Sequence, residues 1–131
     1  MKSAIIINPD LPQGFLANAV ACIASGIFNN GGDIVGPEIK GKDVDYIPIT
    51  KIPILILKPG NKSLLELCRQ AQKLDLKYMA FTKEAQSTTD YDAYTYSVSG
   101  KPLEEVTLLG LGVVGPDDLV NSLVGSLPML R

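Results

Sequence analysis

Two short stretches of this chain gather the side chains that could do chemistry. In DLPQGFLAN, Asp10 to Asn18, a carboxylate and two amides (Asp10, Gln13 and Asn18) surround Gly14. In TKEAQSTTDYD, Thr82 to Asp92, Lys83 stands among hydroxyls, amides and acids: Glu84, Gln86, Thr88, Thr89 and Asp90. The chain has no histidine, so the commonest general base and the commonest zinc ligand are missing. Any catalysis must then use carboxylate, hydroxyl, amine or backbone groups. A carboxylate such as Glu84 can orient water, and the Asn18 amide with loop N–H groups can steady an oxyanion or grip a ligand carbonyl. Each residue also has a plainer reading. Asp10 fits a turn or a helix cap, Asn18 can tie down the loop from Asp10 to Gly14, and the second stretch fits a solvated helix start. Cys22 and Cys68 sit in apolar helical patterns without metal-ligand spacing, so free thiols are expected, and neither metal nor cofactor.

These stretches need elements to hold them. Ser3 to Ile7 is a short apolar run broken by Asn8, Pro9 and Asp10, which predicts a strand buried on both faces and ending in a turn. From Gly14 onward, Leu16, Val20, Ile23 and Ile27 recur at helical spacing beside Ala17, Ala21, Ala24 and Phe28. Asn18, Cys22, Ser25 and Asn29 leave only a narrow polar line. So apolar a helix predicts a sheet beneath it, another element near its back, and a buried Asn18 in need of partners. Asn29 to Gly32 should end it.

Ile34-Val35 and Val44 to Ile49 read as a loop with a small hairpin. Ile52 to Leu57 predicts a second buried strand with Pro53 at its start. Leu64, Leu67, Cys68, Ala71 and Leu74 form the inner face of an amphipathic helix, opened by a capping box of Ser63 and Glu66. Lys77 to Phe81 predicts a third strand, parallel to the second. Tyr91, Tyr94 and Val98 share a face of a short helix capped by Thr88 or Thr89. Val106 to Val114 is the fourth strand, with Gly110 and Gly112 where a helix can approach closely. Pro116, Asp117 and Asp118 open a last helix that ends at Gly125, and the apolar tail from Leu127 to Leu130 is expected to pack or to pair at an edge.

A length of 131 residues fits one domain, residues 1–131, with a real core. A hydrophobic share of 46% against 20% charged residues predicts that some surface is covered by a second copy, giving a homodimer. The formal net charge of −2 and the scattered lysines and arginines argue against nucleic acid as a partner. No apolar run is long enough to span a bilayer and MKSAIIINPD lacks the features of a signal peptide, so no membrane association and a cytoplasmic location are expected.

Four segments carry a resemblance: DLPQGFLANAVACIA at Asp10 to Ala24, SLLELCRQAQKLDL at Ser63 to Leu76, TLLGLG at Thr107 to Gly112 and GPDDLVNSLVGSLPML at Gly115 to Leu130. In this order they resemble the type II (archaeal and eukaryotic) peptidyl-tRNA hydrolase fold, and more closely a bacterial family of uncharacterised small proteins that share it. The resemblance implies an α/β three-layer sandwich, a mixed four-stranded sheet flanked by helices on both faces. In the hydrolases the loop opening the first helix carries lysines, one of them catalytic, where this chain has Phe15 and Ala17. A phenyl or methyl group cannot replace a cation. The hydrolases' Asp, and their Thr four residues later, align with Lys83 and Ser87, or with Glu84 and Thr88 after one inserted residue. Thr107 matches a hydrolase threonine.

With the first and third strands as neighbours, as the resemblance implies, Gln13, Gly14 and Asn18 would meet Glu84 and Thr88, with Thr107 on the adjoining strand. The expectation is a small polar or amide-containing ligand held by Asp10, Gln13, Gly14, Asn18, Lys83 and Gln86, without peptidyl-tRNA cleavage. The alternatives are an ester or amide hydrolase using Glu84, Thr88 and Thr107, and a structural dimerising module in which the cleft above Gly14 is closed.

Overall fold

Strand β1, Lys2–Ile7, runs through the interior of the sheet, and Ser3 to Ile7 are wholly buried, the apolar run from Ala4 by packing and Ser3 with its hydroxyl donating to Pro53 O at 2.8 Å. The computed structural model describes residues 1–29 and 32–131. The expected helix stop at Asn29 to Gly32 falls partly on residues 30 and 31, outside the described residues. The strands lie in the order β4-β1-β6-β5. Strand β4, Ile54–Leu57, is parallel to β1, and β6, Leu108–Gly115, is antiparallel both to β1 and to β5, Lys77–Thr82.

One expectation is met and another is corrected. β5 does run in the same direction as β4, but β1 and β6 lie between them. β1 and β5 are not neighbours, because β6 separates them. The cause is burial: β6 is buried from Leu109 to Gly115 and belongs inside the sheet, whereas β5 exposes Lys77 and Tyr78 and tolerates an edge. Since β6 runs antiparallel to both, its start still lies at their carboxyl ends, with Gly110 opposite Ile7 and Leu108 opposite Thr82.

Helix α1, Gln13–Ile27, packs on one face of the sheet, with Ile23 and Ile27 filling the space left by Gly110 and Gly112. A Cβ at Gly110 would stand 2.7 Å from Ile23 Cδ1, and one at Gly112 2.8 Å from Ile27 Cγ2. The back of α1 is not covered as expected: Phe15, Ala17, Asn18 and Ala21 are exposed. Alanine is small enough to leave little apolar area in water, so the stripe needs no second layer.

On the other face, α2, Leu64–Lys73, and α5, Asp117–Val124, bury Leu67, Cys68, Ala71, Val120 and Leu123. Burial pushes the Cys68 thiol up, while Cys22 is half-buried, and both are free. Ser63 Oγ accepts from the Glu66 N–H at 3.0 Å, which makes one half of the capping box. Arg69 of α2 pairs with Glu104. The Glu104 carboxyl is held below its ordinary range first by its own backbone N–H and then by that guanidinium.

The middle of the chain forms a hairpin of β2, Ile39–Lys40, and β3, Asp45–Tyr46. The tail pairs at the sheet edge: Met129 bridges Leu57, and the Leu130 N–H donates to Ile56 O at 3.0 Å. A single helical turn, α3, Lys83–Gln86, follows β5 within the hydroxyl-rich stretch, and α4, Tyr91–Val98, follows it. The cap of α4 is Asp90 rather than Thr88 or Thr89, its carboxylate accepting from the Asp92 N–H at 3.1 Å. Among the described residues no helix is long and apolar enough to cross a membrane.

Candidate functional site

The carboxyl ends of β1 and β5 and the start of β6 meet at one edge of the sheet. The Asn8 N–H donates to Leu109 O at 2.9 Å and the Lys83 N–H to Thr107 O at 2.8 Å, so all three strand ends are tied together. Thr82 Oγ1 accepts from the Ala85 N–H at 3.1 Å and starts α3 directly after β5. That turn points Gln86 at α1, where its Nε2 donates to Phe15 O at 2.8 Å and to Asn18 Oδ1 at 3.2 Å. The tip of the opening strand-to-helix unit and the bend after β5 therefore wall the same hollow.

Leu109 enters this hollow through a bulge. The pairing of β5 with β6 slips between Phe81 and Thr82, which face Gly110 and Leu108 and leave Leu109 unmatched. Strict alternation would put Leu109 on the α2 side with Leu111 and Val113; instead it packs in the α1-side cluster. Bulges re-aim side chains in this way. The hollow measures about 530 Å³. Leu11, Pro12, Phe15 and Leu109 form its apolar wall, and Lys83, Gln86, Ser87 and Thr107 its polar rim. A neighbouring hollow of about 400 Å³ shares Pro12, Phe15 and Gln86 and adds Gly14 and Asn18.

The expected site residues separate into two groups. Gly14, Asn18, Lys83, Gln86 and Thr107 line one or other hollow. Asp10, Gln13, Glu84 and Thr88 line neither. Asp10 is exposed in the turn after β1, where its N–H donates to Asn8 Oδ1 at 2.9 Å. It does not cap α1, whose N-cap position is Pro12 without a side-chain bond. Gln13 is exposed on the first turn. Thr88 Oγ1 donates to Ala85 O at 3.4 Å. The Glu84 carboxylate accepts from the Thr107 N–H at 3.0 and 3.4 Å, a bond that fixes α3 to the entry of β6. Asn18 is exposed, not buried, and its Oδ1 also takes a long contact of 3.9 Å from Cys22 Sγ.

Sequence reasoning missed Leu11, Pro12, Ser87 and Leu109 as lining residues. Ser87 had a signal, since it is the ungapped match to the hydrolase threonine. Phe15 also had one, as the residue standing where those enzymes carry a lysine. Beside α3, Tyr91 and Tyr94 meet edge to face at 5.5 Å, and burial, then Tyr91, raises the Tyr94 phenol above its usual value. On the α2 side a separate depression of about 340 Å³ includes Asn8, Lys62 and Ser63, but its carboxylate, Glu104, is engaged by Arg69.

A mixed four-stranded sheet with helices on both faces and a hollow at its strand ends defines an α/β domain of the open-sheet kind, whose ligands commonly sit at that edge. Residues 1–131 match the family described as a protein of unknown function (DUF2000), and the chain belongs to that family. A solved structure of Atu0240, a protein of unknown function from Agrobacterium tumefaciens strain C58, has the same fold. The two superpose with a TM-score of 0.89 at 19% identity, over 99% of this chain and 97% of that one. No curated protein matches this chain closely enough for comparison. Identity of this order carries the fold alone.

Proposed function

We propose that this protein is a cytoplasmic homodimer on a peptidyl-tRNA-hydrolase-like fold that binds a small polar or amide-containing ligand and does not cleave peptidyl-tRNA. The observation that carries this reading is the 530 Å³ hollow at the joined ends of β1, β5 and β6, with one apolar wall and one polar rim. Its volume lies within the range of small-molecule sites, and its wall adds a requirement that the ligand also present an apolar surface. Phe15 and Ala17 in place of the hydrolase lysines, together with the net charge of −2, speak against an RNA phosphate backbone. The open space above Gly14 favours ligand binding over a purely structural role. The hydrolase alternative asks Glu84 to orient water, and the bonds of that carboxylate to the Thr107 N–H favour binding instead.

A thermal-shift screen of amino acids, dipeptides, their N-acylated forms and nucleotides tests the reading. A ligand present at about 100 times its Kd stabilises the folded state by about 2.7 kcal/mol, a rise of several degrees in Tm. A flat response across the panel would overturn ligand binding.

A further inference from the structure

We infer that the ligand of this hollow is a monocarboxylate with an apolar body and an amide N–H, the chemistry of an N-acylated amino acid. This inference rests on the binding reading above and adds the chemical class. Three features of the rim and wall carry it.

The first is charge. Among the described residues Lys83 is the only charged one lining the 530 Å³ hollow, and no carboxylate lies within ion-pair distance of it. The nearest acid in sequence, Glu84, is turned onto the Thr107 N–H. The rim thus carries one unmatched positive charge beside an apolar wall, and a charge-assisted hydrogen bond from it to a ligand carboxylate is stronger than a neutral one. One lysine flanked by neutral hydroxyls matches a single negative charge; a phosphate dianion would be left half compensated.

The second feature is the amide. Gln86 spends its Nε2 on Phe15 O and Asn18 Oδ1. Its Oε1 remains as an acceptor at the rim, complementary to an amide N–H and not to a second carboxylate. A free amino acid would bring an ammonium toward Lys83, and acylation removes that repulsion. The third is the wall of Leu11, Pro12, Phe15 and Leu109, which suits an aliphatic or aromatic body.

The probes are N-acetylphenylalanine and its neutral isostere N-acetylphenylalaninamide, titrated calorimetrically against the full chain. The acid is expected to bind about tenfold or more tightly than the amide. Lys83→Met should abolish the preference for the acid over the amide, while Lys83→Arg keeps it. The Lys83 side chain is exposed and has no ion pair among the described residues, so an unaltered Tm of both variants should show that folding is intact. Equal affinity of the two probes, or a preference that survives Lys83→Met, overturns the assignment and leaves the binding reading standing. Binding of neither probe overturns the class, whereas a flat thermal-shift panel overturns the binding reading itself.

Discussion

Gln86 is the side chain that closes the site, because its one NH2 group bridges α3 to two acceptors on α1, the Phe15 carbonyl and the Asn18 amide oxygen. Gln86→Ala removes both bonds at a partly exposed position and is expected to cost about 1 kcal/mol, read as a lowered urea midpoint with unchanged slope. Gln86→Glu should cost more at neutral pH, since a carboxylate cannot donate and would face two oxygens. Equal stability of the two variants would show that the bridge does not form. At this scale the sequence was informative about which residues matter and silent about their direction. Asn18 and Gln86 stood out as amides in unlike surroundings, and they do meet. Glu84 and Thr88 stood out equally as a carboxylate and a hydroxyl, yet both bond to backbone groups, Thr88 to the Ala85 carbonyl and Glu84 to the Thr107 N–H at the entry of β6. Residue type records what an atom can donate or accept, not which way a one-turn helix will point it.

The elements were the most legible level, since the periods of two and 3.6 residues survive in a single sequence. Strands β1 and β6, helices α1, α2 and α5, and the pairing tail follow from the apolar pattern and its breaks. Neighbour relations do not, because strand order depends on which strand can be buried on both faces, a property of the whole set. The bulge at Leu109 is also illegible: the consecutive Leu108 and Leu109 of TLLGLG fit a strand buried on both faces without any slip, and the slip arises only from its pairing with β5. Gly110 and Gly112 of β6 are the exception that could be read. In Gly112→Ala the new methyl collides with the side chains of Ile23 and Ile27 and lifts α1 from the sheet, an overpacking expected to cost about 1–3 kcal/mol. Gly14→Ala is the contrasting case. A Cβ there meets nothing within 4 Å, and alanine is the better helix former by about 0.5–1 kcal/mol. Chemical denaturation of the two variants should move the midpoint in opposite directions, and movement in the same direction would contradict the packing of α1 on β6.

For the molecule as a whole, a group of exposed apolar side chains lies on the β2–β3 hairpin and the chain leaving it. Ile47 is 84% exposed, Ile49 78% and Ile39 63%, and Val44 and Tyr46 are also more than half exposed. Such a surface costs solubility in an isolated monomer, and its charges indicate what covers it. Between Gly36 and Lys51 the acids Glu38, Asp43 and Asp45 balance Lys40, Lys42 and Lys51. Lys40 is paired within the hairpin, to Glu38 at 3.0 Å and Asp45 at 3.1 Å, and these two acids raise its pKa. A face that is neutral overall, with Lys40 paired within it, offers little to a strongly charged partner. It does complement a copy of itself across a two-fold axis, where apolar side chains would meet and the charges of the two copies sum to zero. The expected state is therefore a homodimer joined through this hairpin. Light scattering coupled to size exclusion should give twice the chain mass for the wild type at micromolar concentration. Ile47→Lys combined with Ile49→Lys should give the single-chain mass, since four lysines would then face one another across the axis. Both side chains are exposed within one chain, so the variant should keep the monomer's circular dichroism spectrum. A wild type of single-chain mass, or a double variant that remains a dimer, would remove the hairpin as the joining surface.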